Sequence, residues 1–357
     1  MRIGILTFHS AHNYGAVLQC YALQEYLTSL GHQVEVIDYR NPSVMNCYKC
    51  FNPEVLKRKN PYRIMQNLYH EIKFYRVKKQ RSAVFSKFIN TRLNLAPTNT
   101  IQENPYDLIV VGSDQVWNYN LTNGFDPFYW GDFTRPTKTK LASYAASMQD
   151  SWPDALDVTI SRKLNNFDYI STRELSIANK LKAISPNKQI TQVLDPTILF
   201  SSNQWDRIAE KPSINEPYLL LYQVNSSEKA VAIAKHIAEE RNLRLVYLSA
   251  ESEGINSSIC TSASPEVFVG LFKYAAFVVC SSFHGTVFSL LYQKSFYSVK
   301  GAGKNARVET LLSSIGMLDR FVDTIPEHIL DIKYKKNVIV GKSTSIAFIN
   351  NLIGGNE

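Results

Sequence analysis

A histidine that follows a buried strand and opens a helix is placed for proton transfer. The segment Cys280-Ser281-Ser282-Phe283-His284-Gly285-Thr286 has that form. An imidazole titrates near ~6.5, so it gives or takes a proton at neutral pH. The helix N-terminus beside it favours anions, and Gly285 lets a backbone come close. The ordinary alternative is a capping histidine. A second constellation, Gly112-Ser113-Asp114-Gln115-Val116-Trp117-Asn118, also follows a strand. Here Asp114 is a candidate general base or a holder of sugar hydroxyls. Trp117 is a ring on which a sugar could stack, with Ser113 and Gln115 as further acceptor contacts. The alternative is an Asp cap with Trp117 in the core. The third runs from His9 to Gly15, where loop amides before a helix suit an anion or an acceptor, through His9, Asn13 and Gly15. The alternative there is a plain turn. Neither G-x-G-x-x-G nor a Walker A sequence occurs, which argues against a dinucleotide or ATP site.

Two arginines stand where forks could grip a carboxylate or phosphate. Arg173 follows a strand in Ile170-Ser171-Thr172-Arg173-Glu174, and Arg307 opens a helix after the Gly301–Lys304 loop. Each has the alternative of an ordinary ion pair. Asp195-Pro196 reads as a structural end to a strand.

Such residues need elements to hold them. Arg2 to Phe8 is a buried-strand run, Tyr14 to Leu30 a helix stopped by Gly31-His32, and Val34 to Ile37 a strand: a βαβ unit with parallel pairing. Tyr106 to Val111, Leu141 to Ala146 and Tyr169 to Thr172 continue the strands, with a helix over Glu174 to Leu181. A second set follows the polar, Pro-bearing stretch Glu210 to Pro217. Its strands are Tyr218 to Val224, Arg244 to Leu248, Phe277 to Cys280 and Ser295 to Val299. Its helices are Ser227 to Arg241, Ser264 to Lys273, His284 to Tyr292 and Arg307 to Ile315. The expected fold is α/β, two Rossmann-like doubly wound domains facing a cleft. We expect residues 1–210 as the first domain and 211–357 as the second, with the last helix placed to return to the first. Ligands then sit at the carboxyl ends of the strands.

The bulk numbers fit this reading. The chain has 357 residues, 45% hydrophobic and 20% charged, which suits two globular domains and excludes global disorder. No apolar run is long enough to span a bilayer, and the first residues enter a strand without the apolar core of a signal peptide. We therefore expect a cytoplasmic protein. Five scattered cysteines suggest reduced thiols; Cys47-x-x-Cys50 reads as a loop with two thiols rather than a metal or redox pair. The 39 Lys/Arg against 31 Asp/Glu are uneven: residues 57 to 87 hold ten Lys/Arg and one acid, Glu71. Helical periodicity at Ile64, Leu68, Ile72 and Tyr75, then Val84 and Phe88, makes this a basic helical insertion over about 57–90. It is either a solvated face on a core-packed helix or a peripheral contact with an anionic membrane surface. No nucleic-acid reading motif accompanies it.

An ordered set of segments carries a resemblance: IGILTFHSAHNYGAVLQCYALQEYL, YDLIVVGSDQVWN, SYAAS, ISTREL, VLDPTILF and SSFHGTVFSLLYQKSFYSV. Together they resemble the polysaccharide pyruvyl transferase family over most of the chain. The resemblance implies a fold similar to GT-B glycosyltransferases. It also implies transfer of a pyruvyl group from phosphoenolpyruvate to a sugar, making a ketal in bacterial surface polysaccharides. The family's histidine matches His284, followed by Gly285, and the arginine of its R-E element matches Arg173. Where many members carry an arginine two positions before the histidine, this chain has Ser282; Arg307 or Lys304 would supply the missing donor contact.

The chemistry agrees with the residues. Phosphoenolpyruvate needs cations and helix N-termini, and its methylene carbon must be protonated, for which His284 is the best carrier in the sequence. No step needs a metal or cofactor. The acceptor sugar is lipid-linked, nucleotide-linked or polymeric. One rival is a nucleotide-sugar glycosyltransferase with an acid such as Glu309 on a ribose; another is a non-catalytic carbohydrate-binding protein.

Overall fold

The computed structural model describes residues 1–51, 60–148, 151–249, 258–259, 263–301, 305–334 and 341–354. The first sheet holds β1 (Arg2–Leu6), β2 (Gln33–Ile37), β3 (Leu95–Ala96), β4 (Leu108–Val111), β5 (Lys140–Ala146), β6 (Tyr169–Thr172) and β7 (Ile190–Gln192). The second holds β8 (Tyr218–Gln223), β9 (Arg244–Ser249), β10 (Ser258–Ile259), β11 (Phe277–Cys280), β12 (Ser295–Val299) and β13 (Phe321–Val322). Their orders are β3-β2-β1-β4-β5-β6-β7 and β10-β9-β8-β11-β12-β13. Every pairing is parallel. Both sheets therefore repeat the doubly wound pattern, and each reverses direction beside its first strand. The runs LIVV, YLLLYQ and FVVC are buried at every residue, as parallel strands covered on both faces must be.

The reversal points decide where ligands bind, and helices begin at them. Asn13 after β1, Ser227 after β8 and Ser282 after β11 are N-caps. Their side chains accept from the backbone N–H of Ala16, Ala230 and Gly285 respectively. Short polar side chains at these positions end each loop and aim the first free N–H groups at the cleft.

One hydrophobic cluster runs through both halves. Tyr14, at the start of the helix Tyr14–Ser29, stacks on Phe268 at 4.4 Å and donates from its hydroxyl to the Ala263 carbonyl at 2.8 Å. The helix Lys342–Leu352 lies against the first half: Leu194 N donates to Ser345 Oγ at 2.8 Å, and Phe348 sits 6.2 Å from the Tyr144 ring.

Three two-residue edge strands, β3, β10 and β13, escape sequence reading because a pair of residues shows no periodicity. The basic insertion is a single helix, Pro61–Arg92. Along its apolar period Phe88 is buried, whereas Ile72 and Tyr75 are 65% and 44% exposed. Lys57, Arg58 and Lys59 lie outside the described residues.

Candidate active site

His284 opens the helix Phe283–Leu291 of the second half, yet its ring lies against the first half. A Cβ at Gly15 would overlap the ring at Nδ1, Cε1 and Cγ, so only glycine leaves room for it. On the ring's other side, Nε2 lies 3.5 Å from Asp195 Oδ2, within ion-pair reach though without an aligned hydrogen bond. Gly285 is fixed by packing: a Cβ there would meet Cys280 Cβ at 2.7 Å and Tyr222 Cδ1 at 3.0 Å.

Asp195 is wholly buried and heavily bonded. Its Oδ2 accepts from Arg173 Nη1 at 2.8 Å and from Ser113 Oγ at 3.3 Å; its Oδ1 accepts from Thr197 N at 3.0 Å and Oγ1 at 2.7 Å. Burial alone would raise its pKa, but His284 and Arg173 hold it well below the carboxylate range. Arg173 is likewise enclosed. Burial would lower its pKa, and Glu174 and Asp195 more than offset that. Glu174 accepts from Ser147 Oγ at 2.7 Å and from Arg173 Nε at 3.3 Å. The result is a desolvated chain, Glu174–Arg173–Asp195–His284, that ends on an imidazole.

In front of this chain lies a cleft of about 740 Å³, large enough for a donor and a sugar together. Asn13, Asp114 and Gln115 line it from the first half, and Ser282, His284 and Arg307 from the second. Asp114 has φ of +67°, in the left-handed region. Its Oδ1 accepts from Gln115 N at 2.8 Å, the local bond that lets aspartate adopt this conformation. Arg307 lines the cleft with Lys229 and Lys300, and among the described residues none of the three is in an ion pair. Burial lowers the pKa of Arg307, and so does the like charge of Arg173. The two guanidiniums lie 5.8 Å and 5.3 Å from the Phe283 ring. A half-buried cation beside a second cation favours an anionic ligand.

Several expected contacts are placed otherwise. Trp117 presents no face to a sugar: it is fully buried, stacks on Trp130 at 4.9 Å and donates from Nε1 to the Tyr129 carbonyl at 2.9 Å. His9 is fully buried too, with Nε2 at 2.9 Å from Asp38 Oδ1 and Nδ1 at 3.2 Å from the Thr7 carbonyl, so both nitrogens are occupied. Ser113 is buried under Asp195 and braces it rather than an acceptor. Arg173 lies behind Phe283, lines a smaller apolar recess, and supports Asp195 instead of facing the main cleft. Gly15 serves the histidine, not an anion. Ser282 lines the cleft, with its Oγ engaged as the cap. Lys304 lies outside the described residues. Sequence reading missed Asp195. The one signal was an acid directly after a strand, the placement that singled out Asp114.

Cys47 and Cys50 are free thiols, and Cys260 lies outside the described residues. Among the described residues, no group of three His, Cys, Asp or Glu could hold a metal ion, and no helix is long and apolar enough to cross a membrane.

The fold is GT-B-like. The chain is similar to a Methanocaldococcus jannaschii UDP-GlcNAc 2-epimerase solved in complex with UDP-GlcNAc and UDP. The TM-score is 0.54 at 13% identity, covering 99% of this chain and 100% of that one. A second structure of UDP-GlcNAc 2-epimerase from the same organism gives 0.52 at 11% identity, with the same coverage. No curated protein matches the chain. A family model described as polysaccharide pyruvyl transferase matches residues 13–300, from the Asn13 cap past the His284 helix, and the chain belongs to that family.

Proposed function

We propose that the protein transfers a pyruvyl group from phosphoenolpyruvate to two hydroxyls of a sugar, forming a ketal in a bacterial surface polysaccharide. One observation carries the donor assignment: Arg307 lines the cleft that holds His284 and, among the described residues, is in no ion pair. In this reading, Arg307 and the helix N-terminus at Ser282 hold the donor's carboxylate and phosphate.

Nε2 of His284 is enclosed against Asp195, so Nδ1 serves the donor. Protonated His284 gives its proton to the donor's methylene carbon, and positive charge develops at the adjacent carbon bearing the phosphate ester. A sugar hydroxyl forms a bond to that carbon and loses its proton to Asp114. Phosphate leaves with the bridging oxygen and its electron pair and takes up the proton held by Asp114, which restores the carboxylate. A second hydroxyl closes the ketal and returns a proton to His284. The buried Asp195 carboxylate stabilises the imidazolium before transfer. The sum is donor plus diol giving ketal plus inorganic phosphate. A positioned acid of this kind contributes ~10²–10⁴-fold.

A nucleotide-sugar reading has one support, the fold shared with an epimerase solved with UDP. Glu309, the acid offered for a ribose, is exposed and lines neither the cleft nor the recess behind Phe283. Thermal shift separates the two readings. Phosphoenolpyruvate should raise the melting temperature of wild type but not of Arg307→Ala. His284→Ala should keep the shift and lose turnover. Stabilisation by UDP-hexoses with none by phosphoenolpyruvate would defeat the donor assignment.

A further inference from the structure

The helix Pro61–Arg92 carries an uncovered apolar stripe. Tyr62, Met65, Tyr69 and Ile72 are between 62% and 67% exposed. At 3.6 residues per turn, these four fall within an arc of about 80°. The residues that seat the helix on the protein, among them Phe74, Phe85, Phe88 and Ile89, are buried on the opposite side. Single exposed apolar residues are normal, but a contiguous row of this kind marks a contact surface.

The charges on the same helix indicate what the contact is. It has eight Lys/Arg and one acid, Glu71. Glu71 faces inward, where Lys78 Nζ donates to its Oε1 at 2.8 Å. Arg81 is buried and donates to the His12 carbonyl, which ties the helix to the loop bearing Asn13. Lys73, Arg76 and Lys79 remain exposed on the outward half beside the stripe. A row of Tyr, Met and Ile edged by Lys and Arg, with no acid outward, is the make-up of a helix that lies in a bilayer interface. A second copy of the chain is a poor occupant, because its equivalent face would oppose cation to cation.

We propose that this face docks the protein on an anionic phospholipid surface. Tyr62, Met65, Tyr69 and Ile72 enter the headgroup boundary, and Lys73, Arg76 and Lys79 meet lipid phosphates. The contact is independent of the reaction proposed above, and its test needs no activity.

The full chain is sedimented with phosphatidylcholine vesicles, with and without phosphatidylglycerol. Binding is expected only with the anionic lipid, and it weakens as salt rises. Tyr69→Ser/Ile72→Ser should lower partitioning by ~10-fold or more. Lys73→Gln/Arg76→Gln should lower it about fivefold per charge. These side chains point outward, so the melting temperature should hold in both variants and separate lost docking from lost folding. Absence of binding to anionic vesicles, equal binding to neutral ones, or unchanged binding by the variants would overturn the proposal. So would a wild-type dimer, lost in Tyr69→Ser/Ile72→Ser, that binds no vesicles.

Discussion

A carboxylate removed from water must be compensated by cations and donors. Asp195 has Arg173, Ser113, Thr197 and the edge of His284 around it. Removing that charge leaves Arg173 with Glu174 alone, so Asp195→Asn should cost about 3–5 kcal/mol. Turnover should fall by ~10²–10⁴-fold, since the imidazolium loses its counter-charge. The pH dependence has a definite sign. The folded pKa of Asp195 is depressed, whereas the unfolded carboxyl titrates near ~3.9. Its contribution is full above the unfolded value and is lost as pH falls below it toward the folded one. Urea midpoints measured from pH 6 downward should therefore drop less steeply in Asp195→Asn; parallel curves would remove Asp195 as a stabilising charge. His284, Arg307 and Asp114 were legible in the sequence because each follows a strand or opens a helix. The role of Asp195 was not, because, Thr197 aside, its partners lie at positions 113, 173 and 284, and nothing local announces them. Trp117 misled for a related reason: its neighbours Trp130 and Tyr129 are supplied by a later loop.

Helices and strands were more readable than contacts between them. Runs such as YLLLYQ and FVVC declare buried parallel strands, and Ser or Asn before an apolar period declares a cap. Which helix faces which is a property of the assembled fold. The start of the helix Tyr14–Ser29 meets the start of Phe283–Leu291 at one point, where Gly15 receives the His284 ring. In Gly15→Ala the new methyl and the ring cannot share that space. The imidazole is near the cleft and can turn, so the strand and helix should stay and the ring should move. A displacement of about 1 Å costs ~10²-fold in positioned chemistry, and that loss should appear in kcat/KM. If crowding by the ring is the cause, then Gly15→Ala should destabilise the wild type more than it does a His284→Ala background. Equal melting shifts in the two backgrounds, with activity retained, would mean that the two helices do not constrain one another.

Two Rossmann-like halves usually suggest a hinge, and domain motion is the default where an interface is small and polar. Here the interface is apolar and part of one continuous core. Tyr14 from the first half is enclosed by Phe268 and Tyr222 from the second, and Tyr21 and Trp205 extend the same cluster. The Lys342–Leu352 helix then ties the end of the chain back to Leu194. Unfolding either half would expose the other's packed face. A chain of 357 residues would ordinarily be expected to lose its domains in steps. This packing instead argues for one cooperative calorimetric transition, with calorimetric and van't Hoff enthalpies in agreement. Tyr14→Ala, by emptying the shared core, should cost about 3–5 kcal/mol and destabilise both halves. Two resolved transitions in the wild type would show that the halves fold apart. The outcome bears on the cleft, because His284 and Asp195 come from opposite halves. If the halves hold as one body, the acid and its counter-charge are assembled before any ligand arrives, and binding need not close the protein to bring them together.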